Sequence, residues 1–278
     1  MKKFNVGLQL YGVRNAMKED FEGTLKAVSE MGYEYVEFAG YYDKSAEEIK
    51  EILDRYGLKC VSVHQGLDFY NENPEEKIAF LKAFGVKYSV IPWYNKGLLA
   101  GTEQWDATVK RFASIADLLS ANGMKLGYHN HDFEFVKYEG KYLHDYIFEA
   151  IDKDKIEPEF DTCWVHYAGL HPEDKIREYA GRVTLVHLKD FVCKNLAAGP
   201  VYDLIGTDGK NLGNSREENG FEFRPLGMGV QNFEAILKAC EESGTETVIV
   251  EQDQLYADVS ELEAARISRE YLKNTFGI

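Results

Sequence analysis

Eight times along this chain a short apolar or β-branched run gives way to an amphipathic stretch with helical spacing. FNVGLQL leads into EDFEGTLKAVSEMG, YEYVEF into SAEEIKEILDRYG, LKCVSVH into NPEEKIAFLKAFG, and VKYSVIP into EQWDATVKRFASIADLLSANG. MKLGYHNH leads into a weaker helix near YLHDYIFEAI, and IEPEFDT into HPEDKIREYAG. RVTLVHL leads, after a long insertion, into NFEAILKACEESG, and ETVIVEQ into SELEAARISREYLKN. The strand runs are almost continuously apolar, as parallel strands covered on both faces must be. Glycines at 32, 57, 85, 123, 181 and 244 close helices, and Asp20, Ser45 (with Glu48 three later), Thr102, Asn232 and Ser260 open them. Eight βα units in 278 residues predict a (β/α)8 TIM barrel, a parallel eight-stranded barrel with outer helices. The rival is an open doubly wound sheet. It lacks its nucleotide signature here, because no G-x-G-x-x-G follows the first strand and no P-loop is present. Residues 1–278 read as a single barrel domain. The polar, glycine-rich stretch at about 190–229 reads as a βα loop insertion after strand seven, on the functional face.

Charge narrows the partners. With 32 basic and 47 acidic residues the net charge is −15, which repels a phosphate backbone, so nucleic acid is not expected. The N-terminal MKKFNVGLQLYGVR has only a short apolar run, whereas a leader needs about 7–15 apolar residues and a membrane span about 20. No membrane association is expected, and the cytoplasm is the expected location. The four cysteines, Cys60, Cys163, Cys193 and Cys240, form no C-x-x-C pair and read as free thiols in a reducing compartment. Self-association into a homo-oligomer is left open.

Barrel chemistry sits at the C-terminal strand ends. Those ends carry Gln9, Glu37, His64, Trp93, His129 to His131, Asp161 with Trp164 just beyond, His187 with Lys189, and Glu251 with Asp253. Taken singly, Asp161 is explained as a helix cap and Glu251 as the partner of Lys189. Convergence of His129, Asp161, His187 and Glu251 from strands five to eight points instead to a divalent metal, because buried ionised carboxylates are costly unless paired or coordinating. Mixed imidazole and carboxylate donors suit Mn2+, the expected ion, with Co2+, Fe2+, Zn2+ and Mg2+ as alternatives. His131 shares strand parity with His129, so both aim into the mouth. His64 and His131 are expected to bind substrate hydroxyls, with Gln9, Trp93 and Trp164 shaping the pocket. His144, His166 and His171 are expected to stand outside it.

The stretches GLQLYGVR, YVEFAG, VSVHQG, GYHNHDFEF, PEFDTCWVHYAGLHPEDKI, VTLVHLKD, PLGMGVQNFEAIL and VIVEQDQ span the chain in order. Together they resemble the xylose isomerase-like barrel superfamily, in its sugar phosphate isomerase/epimerase type. The resemblance implies ligands from strands five to eight in the order Glu, Asp, His, Glu. Asp161, His187 and Glu251 match it. His129 stands where the family glutamate would stand, as in the histidine-rich strand five of inosose dehydratase-type members. The implied function is a metal-dependent isomerase or epimerase acting on a sugar or keto-sugar through an enediolate. Glu251 would be the base, Lys189 would stabilise an oxyanion or protonate a leaving group, and Glu134 would return as a missing acid/base or ligand. The alternative is a lyase or dehydratase of the inosose dehydratase or 3-keto-glycoside-cleaving type. Endonuclease IV-like DNA repair ranks below both, since it needs more ligands and a basic surface.

Overall fold

The computed structural model describes residues 4–94, 98, 100–196, 219–254 and 258–278. Eight parallel strands close a barrel: β1 (Asn5–Gln9), β2 (Tyr35–Phe38), β3 (Lys59–His64), β4 (Tyr88–Ile91), β5 (Lys125–His129), β6 (Ile156–Asp161), β7 (Leu185–Leu188) and β8 (Thr247–Val250). Each strand pairs with its neighbours in sequence, and β1 pairs with β8 to close the ring. These are the eight runs read from the sequence.

Local chemistry sets the helices around them. Ser45 and Glu48 form a reciprocal capping box at the start of Ala46–Tyr56, and Gly57 ends that helix at φ 68°. Asp20, Thr102, Asn232 and Ser260 likewise accept backbone N–H bonds at helix starts. One helix was not anticipated. Chain leaving β6 enters Thr162–Tyr167 at once, because the Asp161 carboxylate accepts from the N–H groups of Cys163 and Trp164 and caps it. Among the described residues no helix is long and apolar enough to cross a membrane.

The main apolar core lies between strands and helices. A second small cluster, Val61, Val90, Leu185 and Ile249, plugs the barrel interior. Gly127 belongs to this plug: a Cβ there would lie 2.6 Å from Val90 Cγ2, so only glycine leaves room for the valine. Two residues further along β5, β7 and β8 the interior turns polar, at His129, His187 and Glu251.

The start and end of the expected insertion after β7 form an antiparallel ribbon, Asp190–Val192 against Glu222–Arg224. Asp190 holds its return. Its carboxylate accepts from the N–H groups of Gly227, Gly229 and Gln231 at 3.0, 2.9 and 3.1 Å. Residues 197–218 of the insertion lie outside the described residues.

Candidate metal centre

Register brings the strand-end groups together. β5 sets His129 beside Glu159, β6 sets Asp161 beside His187, and β7 sets His187 beside Ile249, two residues before Glu251. One ligand atom from each of His129, Asp161, His187 and Glu251 lies within 4.8 Å of the others, and all four residues are buried. His187 Nδ1 is 2.8 Å from Glu251 Oε2, and His129 Nε2 is 3.6 Å from Asp161 Oδ2 and 3.9 Å from Glu251 Oε2. Asp161 divides its labour. Oδ1 caps the following helix, while buried Oδ2 faces the group and the Lys189 ammonium. Two imidazoles and two carboxylates converging on a buried point fit a divalent ion.

Lys189 stands beside them. Its Nζ is 3.1 Å from Asp161 Oδ2, 3.2 Å from Glu251 Oε2 and 2.9 Å from Asp253 Oδ2, and it also lies over the Trp164 and Phe223 rings. The two simpler readings of the sequence, a helix cap for Asp161 and a lysine partner for Glu251, are therefore both present within the ligand group.

A second polar layer lies beneath. Glu37 Oε1 accepts from Gln9 Nε2 at 2.6 Å and lies 2.8 Å from His187 Nε2 and 3.0 Å from His64 Nε2. Glu159 Oε2 lies 2.8 Å from His64 Nε2, 3.1 Å from His129 Nδ1 and 3.2 Å from His187 Nε2. Glu159 was missed in the sequence. Its signal was strand parity, since it precedes Asp161 by two in EPEFD and so must share its face.

Burial and charge set the protonation states. Burial would depress His187 and His64, but the facing glutamates outweigh it, raising His187 well above its ordinary value and His64 to about 10. Burial lowers His129, which stays neutral with a lone pair free for coordination. Burial would raise Glu251, but Lys189 and His187 hold it well below the usual range. Burial raises Asp161 to about 7 against the pull of Lys189. Burial would lower Lys189, and Asp161, Asp253 and Glu251 keep it strongly cationic.

Beside the four residues opens a cavity of about 410 Å³, lined by His64, Trp93, His129, His131, Lys189 and Glu251 among others. The Trp93 ring meets His131 edge-on with centroids 4.7 Å apart. Gln9 is fully buried under Glu37, and Trp164 is fully buried against Phe221, so both back the site rather than line it. His144 packs among Phe135, Phe148 and Phe160, away from the mouth. A further cavity, of about 540 Å³, opens at the opposite end of the barrel among strand starts such as Asn5, Lys59 and Thr247. It does not reach the ligand group.

Glu134 is not brought to the four. It is fully buried, and its carboxylate accepts from the Tyr128 hydroxyl and the His131 N–H, each at 2.8 Å, which pins the loop carrying His131. Burial pushes this carboxyl up to about 8. A carboxyl raised on folding holds an extra proton in the folded state. Its stabilising proton is therefore present at low pH and lost as pH rises from about 4.3 in the unfolded chain through about 8. Glu134→Gln mimics the protonated form. Thermal unfolding across pH 6–9 is expected to show the parent losing stability faster with pH than the variant; equal slopes would clear Glu134 of that role.

The model of the xylose isomerase-like TIM barrel family matches residues 25–275. An inosose dehydratase of Clostridium botulinum (strain Alaska E43 / Type E3) is 25% identical over 303 residues, covering 99% of this chain and 98% of the relative. A solved sugar phosphate isomerase/epimerase from Parabacteroides distasonis superposes with a TM-score of 0.75 at 20% identity, covering 99% of this chain and 96% of that one. A solved IolI protein with a bound zinc atom superposes at 0.70 and 16% identity, with 97% of each chain covered.

Proposed function

The chain belongs to the xylose isomerase-like TIM barrel family, and from that premise we propose a divalent-metal-dependent enzyme that takes a sugar or keto-sugar through an enediolate. The observation that carries this is the convergence of His129, Asp161, His187 and Glu251, of which His129 and Glu251 line a cavity walled by Trp93 and His131. When bound, the ion supplies Lewis-acid stabilisation of the oxyanion that forms beside the reacting carbon. Manganese is the ion expected from the donors, and the zinc of the IolI structure supports a borderline ion equally.

The chain's own residues divide the remaining work. Glu251 lines the cavity and is held ionised by Lys189 and His187, so it is the base that removes the proton next to the carbonyl. Lys189 keeps its charge at all working pH values, which suits it to neutralise an oxyanion on the substrate or leaving group. Trp93 and His131 form the wall against which a sugar ring would pack, and His64 lines the cavity from β3. The cytoplasm remains the proposed location; the free cysteines Cys60, Cys163, Cys193 and Cys240 support it.

Protonation on a second carbon, or on the opposite face, makes the enzyme an isomerase or epimerase. Loss of a β-substituent makes it a dehydratase or lyase. His129 favours the second reading, because a two-glutamate epimerase would carry a carboxylate there, and the inosose dehydratase relatives support it. Mn2+- or Co2+-loaded protein, incubated in D2O with ketoses, inososes and 3-keto-glycosides, is expected to place deuterium beside the carbonyl. NMR of the products separates the exits: new isomers or epimers mark the first, loss of a β-substituent the second. No exchange with any of them sinks the enediolate itself.

A further inference from the structure

The substitution of His129 for the resembling family's glutamate removes one negative charge from the ion's immediate donors. The structure returns that charge one layer down. Glu159 Oε2 lies 3.1 Å from His129 Nδ1, on the side of the ring away from Asp161, which is 3.6 Å from Nε2. Both side chains are almost completely buried, and the β5–β6 register places them directly opposite each other. We propose that Glu159 is the positioning residue that makes His129 a metal ligand, and that positions 129 and 159 act as one unit in which the carboxylate stands behind the imidazole. This rests on the metal-dependent reading of the site.

The reasoning is one of proton placement. A neutral imidazole has one N–H and one lone pair. A carboxylate facing Nδ1 fixes the N–H there and leaves the Nε2 lone pair toward Asp161 and Glu251. The opposite tautomer would aim an N–H at the ion and leave two lone pairs, one from each partner, facing across 3.1 Å. His187 shows the same two-sided placement with its nitrogens exchanged, although it is held as an imidazolium while the ion is absent, so coordination there would release its Nδ1 proton. Nε2 lies 2.8 Å from Glu37 Oε1, and Nδ1 turns to the Glu251 side. His64 lies within 3.0 Å of both glutamates and holds that pair of carboxylates together. Each shared imidazole thus spends one nitrogen on each layer. His64, His129, Glu159 and His187 could by themselves hold an ion; on the proposed tautomers their nitrogens carry hydrogen toward the glutamates, and the lower layer supports the ligands instead.

The test uses metal-free full-length protein titrated with Mn2+, Co2+ and Zn2+ against a chelating indicator, with Mn2+ uptake also followed by EPR. Glu159→Gln is expected to weaken binding about 10–100-fold, the usual effect of removing a carboxylate behind a metal-bound histidine. His129→Glu alone places a carboxylate against Glu159 and is expected to bind poorly. The double variant His129→Glu with Glu159→Gln is expected to recover binding, with its preference shifted toward Mn2+ and away from Zn2+. An unchanged Glu159→Gln affinity, or a double variant no better than His129→Glu, overturns the proposal while leaving the metal reading intact. So do two ions per parent chain. A parent that takes up no ion overturns both. Nitrogen-15 NMR of the metal-free parent needs no variant: the Nδ1–H tautomer of His129 is expected, and an Nε2–H tautomer overturns the proposal.

Discussion

Glu251→Gln, assayed at saturating Mn2+, is expected to lose at least about a thousandfold in deuterium exchange and turnover, within the range that general-base removal costs. The side chain keeps its size and an oxygen beside His187, whose Nδ1 lies 2.8 Å from Glu251 Oε2. It loses the charge that Lys189 and His187 stabilise. Two effects are mixed in such a variant, weaker ion binding and a missing base. Titrating the metal to saturation separates them, because a variant whose only defect is affinity returns to parental turnover. A saturated Glu251→Gln protein that still exchanges deuterium at the parental rate would remove Glu251 as the base and leave it a ligand alone.

Replacing Lys189 by Met should have the largest effect on stability. Methionine approximates the stem, but the ammonium within 3.2 Å of Asp161, Glu251 and Asp253 is gone. Three carboxylates then face one another in a buried site. Removing one partner of a buried charge group typically costs about 3–5 kcal/mol, since the remaining charges stay desolvated. Metal-free Lys189→Met is therefore expected to unfold well below the parent. A divalent ion brings positive charge to Asp161 and Glu251, so added Mn2+ should raise the variant's Tm by more than it raises the parent's. Calorimetry of both proteins with and without metal makes the comparison. A metal-free variant as stable as the parent would show that Lys189 does not neutralise this trio.

The barrel was readable because parallel strands buried on both faces must be apolar throughout, and because capping chemistry is local. Ser45 with Glu48 and the glycine at 57 perform in the fold the roles their residue types imply. His129, Asp161, His187 and Glu251 were legible for a related reason: a polar residue ending an apolar strand has few places to go except the mouth. What escaped depends on depth and on tertiary neighbours. Glu159 sits inside a strand rather than at its end, and only the pleat's two-residue repeat connects it with Asp161. Gln9 and Trp164 were placed in the pocket wall, whereas Glu37 and Phe221 cover them. Which way a strand-end side chain turns depends on partners far away in sequence. The helix Thr162–Tyr167 was hidden because its cap, Asp161, is also the last residue of the strand before it.

The plug of Val61, Val90, Leu185 and Ile249 has a consequence for traffic. With that stopper below the histidines and glutamates, the upper half of the barrel is, among the described residues, a well that opens beside Trp93 and His131. On the proposed function, an ion held by the deeper residues would have to enter before the sugar above it, and a bound sugar would slow its exchange with a chelator.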